Sequence, residues 1–243
     1  GEDPELRDEV VIVLGHHDMN GANGEDIFGG ADDNASGTAG VLAIAAAFAA
    51  AADEGIRPRR SVLFMATDAE ERGPSLGAWA YIHRAPFPMS ATVGVFNLDM
   101  IGRDQEVPPE PDSRFNGLEP QTAESNSNAL NILGYSRTPQ LAALVEAANA
   151  NAGTGLTLRF RCDNNASNLL RRSDQWPFLQ NGVPALFIHT GLHPDYHTVE
   201  DVPQRLNYEK MTRIVRMIHQ AAWELANSDA RPVVEGMGPR PPS

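Results

Sequence analysis

Cysteine is almost absent from this chain of 243 residues, since Cys162 is the single one. One cysteine excludes an internal disulfide, and it excludes zinc sites built from paired cysteines. Any zinc site in this chain must therefore use histidine, aspartate and glutamate side chains.

Basic residues are scarce as well. The 19 lysines and arginines stand against 32 aspartates and glutamates, which gives a formal net charge of -13. A surface that binds nucleic acid needs a basic stripe, and the arginines do not cluster in that way, so we expect no nucleic-acid partner. The acidic excess fits a secreted or surface protein, or a site that collects cations.

Long apolar runs are missing too. The most apolar run, residues 41–52, is rich in alanine and predicts a buried helix, so we expect no membrane span and no signal peptide. With 42% hydrophobic residues, the chain can bury one large core. We predict a single domain over residues 1–230, followed by a Pro/Gly-rich tail over 231–243 that is extended or disordered.

Apolar strands alternate with helices along the chain. We predict main strands at 9–15, 60–67, 91–102 and 183–191, minor strands at 130–134 and 156–161, and helices at 38–53, 76–84, 139–149 and 208–227. The main strands are apolar throughout, which is typical of strands buried on both faces. The pattern predicts an α/β fold, a three-layer α/β/α sandwich around a mostly parallel mixed sheet.

Charged or polar clusters follow the main strands at the point where each strand ends. The clusters are His16 with Asp18, Glu70 with Glu71, Asp99, and Tyr196 with His197, and the glycine-rich loop that carries Asp33 follows the first strand. Each cluster alone has an ordinary explanation as a turn or a helix start. Together they predict one site, because ligands collect at the carboxyl ends of parallel strands. Two histidines and three carboxylates would serve two divalent cations with one bridging carboxylate, a ligand set suited to zinc.

The glycine-rich loop places two adjacent carboxylates before an alanine-rich helix. Ser36 alone could cap that helix, which leaves Asp32, Asp33 and Asn34 available for another purpose. Along the extended chain before it, His16 and Asp18 share a face and His17 points away. Ser173 is a possible cap for a short helix, and His219 is expected to be a surface or satisfied residue of the last helix and not a ligand. The segment 103–127 has no apolar period and predicts a long surface excursion.

These motifs, taken in order, resemble a known family. The sequence His16-x-Asp18, the loop 30–37, Glu70-Glu71, Asn97-Leu98-Asp99, Ser173-Asp174 and Tyr196-His197-Thr198 are similar to those of the di-zinc aminopeptidases, peptidase family twenty-eight. Glutamate carboxypeptidase II and the glutaminyl cyclases belong to the same family. The resemblance implies a phosphorylase/hydrolase-like zinc peptidase fold, with residues 1–230 as its catalytic domain. It also suggests that a strand precedes Gly1.

The resemblance further implies a role for each site residue. The metal ligands would be His16, Asp33, Glu71, Asp99 and His197, and they would hold two zinc ions. Asp33 would bridge the ions, while His16 and Asp99 would each bind a different one.

The remaining implied roles are catalytic or supporting. Glu70 would be the general base, Tyr196 would hydrogen-bond the oxyanion, and Asp18 would orient His16. Asp174 would support the metal ligands without binding the ions itself. Gln175 stands where the family usually has histidine, and we expect no ligand role there.

The resemblance also bears on the loop itself. It implies a cis peptide bond between Asp33 and Asn34. It also implies that Asp32 either supports the site or faces solvent.

The implied activity is that of a zinc-dependent aminopeptidase, which hydrolyses N-terminal residues from peptides with a free N-terminus through a metal-bridged water and a glutamate base. A secreted, periplasmic or cell-surface location is expected, and the oligomeric state stays open. The alternatives are a di-zinc carboxypeptidase or deacylase, a cyclase with one zinc, and a catalytically inactive binding domain. A cyclase would need fewer ligands, and an inactive domain would be expected to lose ligands or the base.

Overall fold

The computed structural model describes residues 1–73 and 75–236. Its strands are β1 (Val10–His16), β2 (Gly21–Asn23), β3 (Asp26–Phe28), β4 (Ser61–Thr67), β5 (Thr92–Leu98), β6 (Ala129–Leu133), β7 (Thr157–Arg159) and β8 (Ala185–His189). Its α-helices are α1 (Gly37–Asp53), α2 (Leu76–Arg84), α3 (Pro139–Asn151), α4 (Gln175–Gln180) and α5 (Tyr208–Asn227). The predicted bounds of α2 and α5 agree with these.

Six strands form one sheet in the order β4-β1-β5-β8-β6-β7. The strands β4, β1, β5 and β8 run parallel, β6 pairs antiparallel with β8, and β7 is parallel to β6. The short strands β2 and β3 form a separate hairpin. The predicted mostly parallel mixed sheet is therefore confirmed.

Helices cover both faces of this sheet. In β1, Val11 and Val13 join the cluster formed with α1, α3 and α5, while Val10, Ile12 and Leu14 join the cluster formed with α2 and α4. Successive side chains of a strand point to opposite faces, so a strand that is apolar throughout feeds two cores. This gives the three layers that the sequence predicts.

The last helix closes one of these layers. Buried residues recur on α5 at Ile214, Met217, Ile218, Ala221 and Leu225, in agreement with its predicted amphipathic pattern. On the same helix, the ring of His219 packs edge-on against Phe48 of α1, with 5.1 Å between the ring centroids. His219 therefore has a packing partner within the fold, in agreement with the expectation of a satisfied residue.

One local expectation is wrong. The strand predicted at 60–67 is not buried on both faces, because β4 lies at an edge of the sheet, pairs only with β1 and is mostly half-buried. The segment 103–127 is mostly exposed or half-buried, as expected of a surface excursion. It carries short 3-10 helices at Ser113–Phe115 and Glu124–Asn126, and its Phe115 is 1% exposed.

One helical stretch in the described part of the chain, Ala31–Asp53, is long and apolar enough to cross a membrane, by length and composition only. The core helix of a soluble protein and a signal sequence both pass that test. In this structure Val41, Ile44 and Phe48 of the stretch pack into the core against the sheet.

The tail beyond α5 begins as an extended strap. Val234 is buried, and the backbone N–H of Glu235 donates to the carbonyl of Arg137 at 2.7 Å. The remainder of the predicted tail, 237–243, lies outside the described residues.

Candidate metal centre

The predicted site residues converge at one edge of the sheet. The strands β1, β4, β5 and β8 are parallel, so their carboxyl ends meet there, and the loops that follow them carry the predicted residues. Asp33 enters from the kinked segment Ala31–Ser36, which joins the hairpin to α1. All five predicted ligands lie within two overlapping groups of side chains.

The first group consists of His16, Asp33 and Asp99. The Nε2 atom of His16 lies 3.3 Å from Oδ1 of Asp33 and 3.6 Å from Oδ1 of Asp99. All three residues are buried. Histidine nitrogen and carboxylate oxygens at this spacing can converge on one divalent cation.

The second group consists of Asp33, Glu71 and His197. The Nε2 atom of His197 lies 3.0 Å from Oδ2 of Asp33 and 3.1 Å from Oε2 of Glu71. The two oxygens of Asp33 thus face different groups, which is the geometry of a bridging carboxylate. The expectation that His16 and Asp99 bind different ions is wrong, because both belong to the first group and Asp33 is the shared residue.

Unpaired polar atoms show that this donor set fits metal ions. The Nε2 atoms of His16 and His197 and Oε1 of Glu71 are buried and have no hydrogen-bond partner among the described residues. Buried polar atoms are normally paired, and clustered buried carboxylates are costly without a compensating positive charge. Imidazole nitrogens with carboxylate oxygens are a ligand set that zinc accepts.

The electrostatics of the metal-free centre are those of a strongly coupled cluster. Burial opposes the charged ring of His16, but the neighbouring carboxylates, Asp99 foremost, outweigh it and raise its pKa. Burial likewise opposes the charge of His197, yet the adjacent carboxylates of Asp33 and Glu71 outweigh it and raise its pKa to about 9. A histidine nitrogen binds a cation only when it is deprotonated, so metal affinity at this centre would depend on pH.

Glu70 lies beside both groups and lines the same pocket as Asp33 and Asp99. Burial, followed by the negative charge of Asp99, raises the pKa of Glu70 to about 10 in the metal-free site. Bound cations favour the carboxylate and would lower that value. A carboxyl group whose proton affinity depends so strongly on its surroundings has the chemistry of a general acid–base group.

Asp18 connects the loops that follow β1 and β4. Its Oδ1 lies 3.5 Å from Nδ1 of His16. The same carboxylate accepts hydrogen bonds from the backbone N–H groups of Glu70 and Glu71, each at 3.1 Å. Asp18 therefore contacts His16, as expected, and also fixes the turn that carries both glutamates.

Tyr196 lies against the second group, and its ring stacks on His197 with 3.8 Å between centroids. Burial, followed by the charge of Asp33, raises the pKa of Tyr196, so its hydroxyl stays protonated and can donate. The guanidinium of Arg114 holds this loop by donating from Nη1 to the carbonyls of Tyr196, at 2.6 Å, and of Pro194, at 3.1 Å. The segment 103–127 thus reaches the site through Arg114.

A buried chain of polar side chains supports Asp99, and sequence reasoning missed most of it. The hydroxyl of Ser173 donates to Oδ2 of Asp99 at 2.5 Å. The Nδ2 of Asn97 donates to that hydroxyl at 2.7 Å and to Oε1 of Gln175 at 2.9 Å. Ser173 is therefore not the cap of α4. Gln175 is the buried last residue of this series of hydrogen bonds. The only signal in the sequence is a polar Asn97 inside an apolar strand.

Asp174, next to Ser173, is fully buried behind the site. Its Oδ2 accepts a hydrogen bond from the hydroxyl of Thr67, at the end of β4. Burial raises its pKa to about 6.

The first carboxylate of the glycine-rich loop is buried, so the alternative that Asp32 faces solvent is wrong. Its Oδ1 accepts from the N–H of Gly102 at 2.6 Å, and its Oδ2 lies 3.2 Å from Nε2 of His193. The carboxylate of Asp201 accepts from the N–H groups of Asp32 and Asp33 at 3.0 Å. Asp201 and His193 therefore fix the position of this loop. Nothing in their local sequence indicated that role.

The rest of the loop is fixed by Asn34. Its Oδ1 accepts from the N–H groups of Gly37 and Met100 at 3.0 Å, and its Nδ2 donates to the carbonyl of Leu98 at 2.9 Å. The expected capping by Ser36 is wrong, because its hydroxyl donates to the carbonyl of Asp32 at 2.7 Å. The Asp33–Asn34 peptide bond is cis, as the family resemblance implies.

Three residues at the site have left-handed backbone conformations that side chains other than glycine rarely adopt. Ala69 precedes Glu70, Met100 follows Asp99, and His197 itself has a φ of 59°. Such conformations persist where the surroundings enforce them, and they concentrate at functional sites.

A pocket opens beside the two groups and encloses about 330 Å³, including space open to solvent. We call it the side-chain pocket. Apart from the proposed site residues, it is lined by Met100, Leu169, Arg172, Phe187, His189 and Leu192. Apolar side chains beside convergent titratable groups are typical of a substrate site.

The fold and the donor set define an α/β protein with a candidate centre for divalent cations at the carboxyl edge of its sheet. A sequence model of Peptidase family M28 matches residues 1–222, and the chain belongs to this family.

Sequence relatives carry related names. A probable zinc metalloprotease from Pyrenophora tritici-repentis is 29% identical over 261 residues, covering 97% of this chain and 57% of the relative. A probable glutamate carboxypeptidase from Arabidopsis thaliana is 29% identical over 204 residues, covering 81% of this chain and 25% of the relative. The chain thus spans about half the length, or less, of the relatives it matches.

Solved structures share the fold. An aminopeptidase from Aneurinibacillus sp. strain AM-1 has a TM-score of 0.68 at 21% identity, covering 98% of this chain and 48% of that one. A glutaminyl cyclase from an Acidobacteriales bacterium has a TM-score of 0.59 at 18% identity, covering 91% of this chain and 70% of that one.

Proposed function

We propose that this chain is a zinc-dependent aminopeptidase that releases N-terminal residues from peptides. One observation carries the proposal: the two oxygens of Asp33 face separate groups of ligand atoms, with Glu70 beside both. Membership of Peptidase family M28 and the names of the relatives support it. A secreted, periplasmic or cell-surface location stays a prediction from the family resemblance and the acidic charge.

Two zinc ions would be held by the five clustered side chains. His16, Asp33 and Asp99 would hold one ion, and Asp33, Glu71 and His197 would hold the other. Bound there, zinc would supply a nucleophilic water at neutral pH and would polarise the scissile carbonyl.

Glu70 would perform the proton transfers. Its carboxylate would accept a proton from the attacking water and would deliver it to the leaving amine. Asp18 would keep Glu70 in place through the hydrogen bond from the backbone N–H of Glu70. The hydroxyl of Tyr196 would donate a hydrogen bond to the carbonyl oxygen as negative charge develops on it.

The Glu70→Gln variant tests the role of the base. Glutamine keeps the size of the side chain but cannot accept the proton, so we expect hydrolysis to fall by about 100-fold or more while zinc stays bound. The matched control is Glu146→Gln on the exposed face of α3, which should leave activity unchanged. A Glu70→Gln protein that keeps most of its activity would refute the assignment.

Metal content and product release test the whole proposal. We expect two zinc ions per chain by metal analysis, together with release of the first residue from an unblocked peptide and none from its N-acetylated form. Release from the acetylated peptide, or a single zinc ion in the fully active protein, would contradict the proposed aminopeptidase.

A di-zinc carboxypeptidase is the second candidate, and Arg172 favours it. The side chain of Arg172 lines the side-chain pocket and could pair with the C-terminal carboxylate of a peptide. In that case N-acetylated peptides would lose their C-terminal residue, and Arg172→Gln would raise KM for them far more than for aminoacyl anilides, which have no carboxylate.

A further inference from the structure

One buried carboxylate near the proposed metal centre is held between two guanidinium groups. Asp195 is 8% exposed and directly precedes Tyr196 and the proposed ligand His197. Its Oδ2 accepts a hydrogen bond from Nη2 of Arg103 at 2.8 Å, and its Oδ1 accepts one from Nη1 of Arg205 at 2.5 Å. Hydrogen bonds between charged groups are stronger than neutral ones, so the two ion pairs fix the direction of this carboxylate.

The first of these partners, Arg103, is connected to the packed core. Its backbone carbonyl accepts a hydrogen bond from Nζ of Lys210 at 3.3 Å. Lys210 belongs to α5 and is fully buried, and its Nζ also donates to Oδ1 of Asp104 at 2.8 Å. Because α5 packs against the sheet, these bonds fix the backbone from which the side chain of Arg103 reaches Asp195.

The turn that begins at Asp195 has a backbone conformation that needs support. The N–H and the hydroxyl of Thr198 donate to the carbonyl of Asp195, at 3.0 and 2.8 Å, so residues 195–198 form one turn. His197 lies inside this turn and has a φ of 59°. Residues other than glycine rarely adopt such a φ, and it persists where surrounding contacts enforce it. The ion pairs of Asp195 are contacts of this kind.

Only one of the two groups of proposed ligands depends on this turn. His197 completes the second group, whereas the first group takes none of its members from residues 193–205. A looser turn would therefore displace a ligand of the second group and would leave the first group intact.

We propose that Asp195 is a positioning residue for the second cation: held by Arg103 and Arg205, it fixes the turn from which His197 would bind that ion. The proposal rests on the proposed function, which places one zinc ion in each group of ligands. It predicts a selective effect, because a general loss of stability would not distinguish one ion from the other.

The experiment measures the affinities of the two zinc ions by competition with chromophoric chelators. Asp195→Asn keeps the size of the side chain and removes its charge. We expect it to weaken one zinc ion about tenfold and to leave the other within about twofold of the wild type. Arg205→Gln removes the exposed partner and should weaken the same ion by a smaller factor, while Arg205→Lys keeps a positive charge and should stay closer to the wild type.

Two background variants identify the ion that is affected. Glu71→Gln leaves the first group complete, and in this background Asp195→Asn should leave the affinity of the remaining zinc ion unchanged. Asp99→Asn leaves the second group complete, and in this background Asp195→Asn should weaken the remaining zinc ion about tenfold.

The chain offers a matched control at the other end of the sheet. Glu9 directly precedes β1, and its carboxylate also pairs with two guanidinium groups, those of Arg60 and Arg231. Glu9→Gln should leave both zinc affinities unchanged, because no proposed ligand lies near it.

The outcomes separate this proposal from the proposed function. If the wild type binds two zinc ions and Asp195→Asn keeps both affinities or weakens both equally, the positioning role is refuted and the di-zinc centre stands. The role is refuted as well if Glu9→Gln weakens the second ion as much as Asp195→Asn does. If the wild type binds fewer than two zinc ions, the proposed function fails and this proposal fails with it. If Asp195→Asn does not fold, Arg205→Gln decides by the same comparison.

Discussion

The hydrogen bond from Ser173 to Asp99 allows a quantitative test of how the proposed centre is held. Asp99 directs Oδ1 towards His16 and accepts from the hydroxyl of Ser173 with Oδ2. Ser173→Ala removes this bond and leaves Asn97 with Gln175 as its remaining side-chain partner. A hydrogen bond to a charged group contributes about 1.5–3 kcal/mol, so we expect the metal-free variant to lose stability of that order.

Zinc affinity is the decisive measurement. Asp99 would be free to rotate in the variant, and loss of a group that orients a metal ligand typically weakens binding about 10- to 100-fold. Competition with a chromophoric zinc chelator measures the affinity, and denaturant unfolding in excess chelator measures the stability of the metal-free protein.

The chain offers a matched control for this variant. The hydroxyl of Ser136 donates to Oδ2 of Asp163 at 2.6 Å, beyond the end of β6. The strand β6 runs antiparallel to β8, so the residues that follow β6 lie at the other end of the strands from the proposed metal centre. Ser136→Ala should lower stability and leave zinc affinity unchanged. A Ser173→Ala protein whose zinc affinity stays within about twofold of the wild type would refute the reasoning.

Two further variants test other parts of the structure. Burial lowers the pKa of His219, so the unfolded state takes up its proton first, and the free energy of unfolding should decrease as the pH falls through about 6.5. His219→Phe should lose less stability than the wild type between pH 7.5 and 5.5 in metal-free protein, and equal losses would contradict this. Arg114→Gln removes the guanidinium that holds the carbonyl of Tyr196, and kcat/KM should fall about tenfold or more. Asp112→Asn keeps those donors and should lower kcat/KM less than Arg114→Gln does. Equal kcat/KM for Arg114→Gln and the wild type would show that the hydrogen bond from Arg114 to Tyr196 does not affect activity.

Residue pattern alone was enough to predict most of the fold. The apolar strands, the helix α5 and the positions of polar clusters at strand ends follow from local periodicity, which depends on neighbours along the chain. The edge position of β4 could not be predicted in this way, because an apolar strand has the same residue pattern whether it pairs with one neighbouring strand or with two.

The candidate site was likewise predicted only in part from the sequence. The residue types and their order indicate which side chains gather, since parallel strands bring their carboxyl ends together. Which side chains share a cation depends on distances across the sheet, and for this reason the assignment of His16 and Asp99 to different ions was wrong. The role of Gln175 was hidden for the same reason.

The sequence by itself determined a cysteine-free set of histidine and carboxylate ligands and an alternating α/β pattern, because both depend on residue type and spacing. Only the tertiary structure decided that Asp33 faces both groups, that Asp32 is buried with its N–H bonded to Asp201, and that Nε2 of His189 is buried without a hydrogen-bond partner among the described residues. These features depend on side-chain direction and on contacts between segments far apart in the chain, and both are set when the strands pair and the helices pack.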